Sequence, residues 1–308
     1  MYRKALEIDL EAQPDNHLLL SDRYRYMMTV LMEQGKIDEA IKMNKESLAR
    51  MLHIHGREDH PDIANEYLGV GLLLMKRNRL DDGLQMFDKV IELCNKLGPG
   101  EDNRTTLAAA LSNQAIIRQQ QGDLEAATEL FEKSLAIYVE VHGEMHPEVA
   151  AHYLNMALIY GEQDRLDDAI RFNDKALQIR RKDLGDDHPY TVDCEGNFVQ
   201  LKLGKAAAIN EEGLTLAKAG GNCIDALELF RKAVEIYIEI GCEDHPDAAS
   251  VYENVAGVYI SVDMLKEAVA QSANALIIYR RTFGDDHDIT KKRMEEHRSL
   301  LKRLLEKP

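Results

Sequence analysis

The chain has 308 residues, room for one large domain or two small ones. Its 54 acidic against 38 basic side chains leave a net charge of −16, and no stretch concentrates Lys and Arg as a phosphate backbone or an anionic membrane surface demands, so nucleic acid and such surfaces are disfavoured as partners. The longest apolar run, LGVGLLLM at 68–75, falls short of the roughly 18 residues of a membrane span, and the opening MYRKALEIDL has no apolar signal core, so a soluble cytoplasmic protein without membrane insertion is expected. Cys94, Cys194, Cys223 and Cys242 lie far apart without CxxC spacing, as free thiols of a reducing compartment do. The absence of Trp, the seven prolines and the abundance of Ala, Leu, Glu, Lys and Gln describe helix-forming material, and no β-branched run bounded by turn residues interrupts it.

In chain order, residues 1–16 hold a single helical period, MYRKALEIDLEA, that reads as half of a helix pair or as a cap helix. From 17 to 187 apolar residues recur at three- and four-residue steps in four pairs, about 21–54, 61–97, 104–141 and 147–183. In the last of these, Val149, Tyr153, Met156, Ala157 and Tyr160 share one face of a first helix, and Leu166, Ala169, Ile170, Ala176, Leu177 and Ile179 one face of a second, with a short polar turn between. Residues 188–205 form an insertion of about 15 residues beyond the repeat length. An additional or lengthened helix is predicted over 190–204, and Gly196 and Gly204 argue against one continuous helix through to 219. Asp193, Cys194 and Glu195 within it read as solvent-side residues. Two further pairs follow at 206–287, about 206–240 and 246–282, and 288–308 is an amphipathic helix suited to capping the stack, with Leu300, Leu301, Leu304 and Leu305 on its apolar side.

The junctions carry a recurring signature: REDHPDIA at 57–64, GEMHPEVA at 143–150, GDDHPYTV at 184–191, CEDHPDAA at 241–248 and GDDHDITK at 284–291. His60 to His146 spans 86 residues, while His146 to His188 and His245 to His287 each span 42, so a period near 42 governs the chain. The histidine or its preceding acid suits a helix N-cap, and proline the first turn, where its missing N–H has no partner to lose. The dense cluster HIHGREDH at 53–60 matches no common zinc spacing and takes the same reading, so no metal site is expected.

The stretch LSNQAIIRQQQGDLEAATELFEKSLAIY at 111–138 resembles a tetratricopeptide repeat, with Leu111, Ala115, Gly122, Leu124, Ala127, Phe131 and Ser134 in the repeat's positions. The counterparts of Ala115 are Gly71, Ala157, Gly213 and Ala256, and those of Ala127 are Ala40, Gly83, Ala169, Ala226 and Ala268. Small residues there allow two helices to approach closely. The 42-residue period and the LG-x-DHP-x-VA junction are similar to the kinesin light chain type of repeat, over nearly the whole chain. The resemblance implies an all-α, right-handed superhelical solenoid of antiparallel helix pairs whose first helices line a concave groove.

By that resemblance the groove residues include Arg25, Tyr26, Asn65, Leu72, Lys76, Asn113, Ile116, Gln120, Asn155, Leu158, Asn210 and Asn254. An asparagine amide both donates and accepts, so a row of them can pair with the backbone of an extended peptide, or instead bond to neighbouring helices. The wider set of groove positions holds five acids (Asp22, Glu33, Glu162, Glu211, Glu253) and three bases (Arg25, Lys76, Lys218), which favours a neutral or basic ligand segment. The function expected is a non-enzymatic scaffold that binds a protein or peptide partner and needs no cofactor. A kinesin-light-chain-like adaptor for motor or vesicle cargo and a self-assembling solenoid are the alternatives. Phosphate-loop, nucleophile-elbow and H-E-x-x-H motifs are absent from the sequence.

Overall fold

A computed structural model describes residues 2–98, 100–219 and 223–307, without the side chains of residues 2, 3 and 101. The ends of the segments expected at 1–16 and 288–308 therefore reach residues 1 and 308, which lie outside it. Fourteen helices and no strand occur among the described residues. They are α1 (Tyr2–Ala12), α2 (His17–Glu33), α3 (Ile37–His55), α4 (Pro61–Lys76), α5 (Leu80–Leu97), α6 (Glu101–Gln120) and α7 (Leu124–His142). Then come α8 (Pro147–Glu162), α9 (Leu166–Leu184), α10 (Pro189–Lys218), α11 (Cys223–Glu239), α12 (Pro246–Ser261), α13 (Leu265–Phe283) and α14 (Asp288–Leu305).

Local chemistry sets the boundaries. Five of the turns inside pairs each have one left-handed residue, Gly35, Asn78, Gly122, Asp164 or Asp263, drawn from the types that tolerate positive φ, and the turn between α10 and α11 lies outside the described residues. At the junctions it is the histidine, and not the preceding acid, that caps. The Nδ1 atoms of His60, His146, His188, His245 and His287 accept the backbone N–H two residues on, at 3.2–3.3 Å. Proline occupies the first turn in four of these helices, α4, α8, α10 and α12.

The small residues are packing positions. Ala40, Ala115, Ala127, Ala169, Ala226 and Ala268 are wholly buried. A Cβ on Gly71 would stand 2.5 Å from the Phe87 ring, and one on Gly213 would stand 2.9 Å from Phe230. Glycine at these two places lets an aromatic ring of the second helix lie on the backbone of the first.

The chain forms two compact units, Met1–Asp164 with Lys175–Asp186, and Arg165–Asp174 with Asp187–Pro308. In the first, one core gathers Leu20, Tyr24, Leu31, Ile41, Val70 and Leu73, and a second gathers Met51, Ile63, Phe87, Val90, Ala110 and Ile117. In the second unit the core is built on Phe230, Tyr237, Ala249, Val251, Ile278 and Tyr279, with Leu300 of α14 packed on Leu265 and Ala268.

Two expectations are corrected. The helix α10 runs unbroken through Gly196 and Gly204 for 30 residues, and residues 190–204 are its first half. A glycine lowers helix stability by about 1 kcal/mol relative to alanine. Burial of Thr191 and Cys194 in one half and of Ala206 and Gly213 in the other outweighs that and holds the helix along its length. Cys194, expected on the solvent side, is wholly buried, and Asn173 Nδ2 donates to its carbonyl at 2.9 Å. Asp193 and Glu195 are exposed, as expected of the two flanking positions.

Candidate protein-interaction site

All twelve groove residues expected from the sequence fall on first helices of their pairs: α2, α4, α6 and α8 in one unit, α10 and α12 in the other. In the first unit Tyr26 and Leu158 are each 58% exposed, a large apolar surface for side chains on packed helices. Arg25, Asn65, Lys76 and Gln120 are exposed, and Leu72, Asn113, Ile116 and Asn155 half-buried. Leu72 rests against the core around Phe87, so its contribution to any outer surface is partial.

The asparagines are divided in what they bind. Asn65 Oδ1 accepts from Thr106 Oγ1 at 2.8 Å, which ties α4 to α6. Asn113 Nδ2 donates to the Ala109 carbonyl of its own helix at 2.7 Å. In the second unit Asn254 Nδ2 donates to Asn210 Oδ1 at 2.9 Å, joining α12 to α10. Among the described residues no hydrogen bond engages the Asn155 side chain. Asn65 and Asn210 thus each spend one amide atom on a neighbouring first helix and keep the other, as an amide's double capacity permits.

Sequence reasoning missed a set of charged and polar bridges between successive first helices. Gln119 Nε2 donates to Glu162 Oε1 at 2.7 Å, from α6 to α8. Arg293 of α14 pairs with Glu253 of α12 at 2.7 Å. Arg25 of α2 pairs with Asp22 and brings its Nε to 3.9 Å from Glu66 Oε1 of α4. Glu66 is only 3% exposed; it accepts from Ser47 Oγ at 2.8 Å and from Asn44 Nδ2. Burial pushes its carboxyl above the ordinary range, and the Ser47 bond and the Arg25 charge act against that rise. The signal available in the sequence was position: Glu66 lies three residues after Ile63 and four before Val70, on the helix's buried face.

Six residues after its capping histidine, α8 carries His152 where α4 carries Glu66. Burial pushes its pKa down to about 4, so the ring is neutral at pH 7. Its Nδ1 lies 3.3 Å from Ser112 Oγ, which bonds Ser134 Oγ at 2.6 Å, and the ring stacks on Tyr138. In the second unit α12, α13 and α14 border an open cleft of about 380 Å³, lined among others by Glu253, Gly257, Ile260, Arg293, Ser299 and Arg303. Cys94 is buried, and burial pushes its thiol up to about 11, far from a reactive thiolate.

Against known proteins, tetratricopeptide repeat profiles match residues 62–138, 106–182 and 148–219, and a second set matches 29–62 and 248–288. The Protein KINESIN LIGHT CHAIN-RELATED 3 of Arabidopsis thaliana is 24% identical over 240 residues, 65% of this chain and 37% of that protein. A Clustered mitochondria protein homolog of Coccidioides immitis is 26% identical over 180 residues, 57% of this chain and 13% of that protein. The chain thus spans about a third or less of these relatives' length. Among solved structures, BtubC (BKLC) from P. vanneervenii superposes with a TM-score of 0.51 at 17% identity, covering 91% of this chain and 88% of that one, a likeness of fold.

Proposed function

The chain belongs to the tetratricopeptide repeat family, and on that premise we propose that it is a protein–protein interaction scaffold that holds an extended segment of its partner against the first helices of its repeats. Repeats of this family are typically non-enzymatic, and catalysis forms no part of the reading. The observation that carries it is the placing of exposed Tyr26 and Leu158 on the same kind of helix as Asn65, Asn113 and Asn155, whose amides retain free donors or acceptors. Apolar anchors with polar groups beside them suit a peptide whose backbone needs partners and whose side chains need pockets. The acid-rich groove positions favour a neutral or basic segment, and a cytoplasmic setting accords with the free thiols. No helix among the described residues is long and apolar enough to cross a membrane.

A second reading, an adaptor for motor or vesicle cargo, rests on the similarity to the plant kinesin light chain-related protein. To test the first reading, partners captured by the intact chain are mapped to a minimal peptide, and its affinity is read by fluorescence anisotropy. Asn113→Ala with Asn155→Ala, and separately Leu158→Ala, are expected to weaken binding at least tenfold with helicity intact. Unchanged affinity in both variants refutes groove binding. A motor heavy chain among the captured proteins supports the adaptor reading.

A further inference from the structure

Two of the helix junctions in the first unit differ from the others in one respect. The residue just before the junction glycine, at the end of the second helix of each pair, is Leu97, Leu184, Ile240 or Phe283 in four pairs, an apolar side chain. In the other two it is His55 and His142. The residue two after the capping histidine is Asp62 at the first of these junctions and Glu148 at the second. Only there, among the five histidine-capped junctions, do two imidazoles and a carboxylate coincide; the junction at His245 has the carboxylate, Asp247, but Ile240 in place of the second histidine.

The structure brings each set together. One ligand atom from each of His55, His60 and Asp62 lies within 4.8 Å of the others, and the same holds for His142, His146 and Glu148. At the first junction Asp62 Oδ2 is 3.0 Å from His55 Nε2 and 3.5 Å from His60 Nδ1. At the second, His142 Nε2 is 3.5 Å from Glu148 Oε2, and this nitrogen is a buried polar atom without a hydrogen-bond partner. A Zn²⁺ ion bound at about 2.0–2.1 Å in tetrahedral geometry spaces its donors by about 3.4 Å, which these separations already approach. A stacking histidine alone accounts for the ring contact, since Phe283 stacks on His287 in the same way. It does not account for a carboxylate within reach of the ring nitrogens or for a buried nitrogen left without a partner.

We propose that the two junctions, His55–His60–Asp62 and His142–His146–Glu148, are binding sites for a divalent transition metal of the zinc class, with solvent in the fourth position. The ligands come from the end of one helix pair and the start of the next, so the ion joins α3 to α4 and α7 to α8. Nδ1 of each capping histidine accepts a backbone N–H at 3.2–3.3 Å, the long end of the range. The ion takes that lone pair in place of the amide and draws no support from the positive end of the helix; the adjoining carboxylate supplies the compensating charge. Coordination requires unprotonated imidazoles, so protons compete with the ion for these sites.

The test is Zn²⁺ titration of the intact chain by calorimetry, with melting followed in the presence of Zn²⁺ and of a chelator. Two equivalents are expected for the native sequence, one each for His55→Leu and His142→Leu, and none for the double variant. Leucine stands at this place in two other junctions, so these variants keep a side chain the fold already uses. The melting temperature of the native chain rises with Zn²⁺ and returns with chelator, and that of the double variant does not respond. A gain-of-site variant guards against loss through misfolding: Ile240→His completes the set with His245 and Asp247 and adds a third equivalent. Zn²⁺ uptake unchanged in the double variant, or no uptake by the native chain at neutral pH, overturns the proposal.

Discussion

Gly71→Ala adds a single methyl to the face of α4 that meets α5. The new Cβ stands 2.5 Å from Phe87 Cε1 and 2.9 Å from Cδ1 and Cζ. Carbon atoms in contact rest at about 3.5–4.0 Å, so the ring or the helix must yield by about 1 Å. Phe87 has no exposed surface and sits in the core with Met51, Ile63, Val90 and Ile117, so no open space receives it. Overpacking of this kind costs about 1–3 kcal/mol, offset by about 1 kcal/mol because alanine is the better helix former. The net expected is a loss of up to about 2 kcal/mol. Gly83→Ala, in the facing helix, meets its nearest atom at 3.5 Å, an ordinary contact, and keeps the helix gain without the clash. Two identical chemical changes at neighbouring helices thus move stability in opposite directions. Because repeats contact mainly their neighbours, the loss is read locally, as faster amide exchange over α4 and α5, alongside urea unfolding. Gly71→Ala with native exchange rates would refute the close approach of Phe87 to the α4 backbone.

Gly196→Ala and Gly204→Ala each raise stability by about 0.4–1 kcal/mol if α10 is continuous, since both positions open onto free space, and a denaturant series in which neither stabilises contradicts the unbroken helix. Glu66→Gln is at least as stable as the native chain at pH 7, because the buried site penalises the charged carboxylate and the new amide N–H can donate to Asn44 Oδ1, which lacks a partner. The folded-state pKa of Glu66 is raised, so its stabilising contribution is complete below the unfolded value of 4.5 and is lost as pH rises through the folded one. The advantage of the variant must therefore shrink on acidification, and a gap that widens toward low pH counts against the burial argument. His152 has the opposite sense for a base: with its pKa lowered from 6.5 to about 4, the stability it permits is present above 6.5 and is lost as pH falls between those values. His152→Phe, which keeps a ring against Tyr138, should flatten that part of the stability–pH curve; equal slopes in both proteins would show that the imidazole is not buried neutral.

The helix pairs, their 42-residue period, the small packing residues and the capped helix starts could all be read from the sequence, because each depends on contacts a few residues apart or on one recurring steric requirement, while the choice of the histidine over the preceding acid as the cap came from the structure. Ala115 and its counterparts announce a close helix crossing wherever they stand, and His-Pro announces a capped start. Continuity of α10 was not legible, because glycine's local penalty is decided against burial of Cys194, Ala206 and Gly213, which only packing reveals. The same holds for the candidate groove. Resemblance put Asn65, Asn113, Asn210 and Asn254 on the first helices of their pairs, but whether an amide turns to a ligand, to Thr106, to its own backbone or to its counterpart depends on distances across helices. Glu66 and His152 occupy one position of the repeat and have unlike surroundings. Their protonation follows from burial, which the sequence alone does not specify, because desolvation depends on everything that packs around a group and not on the residues beside it in the chain.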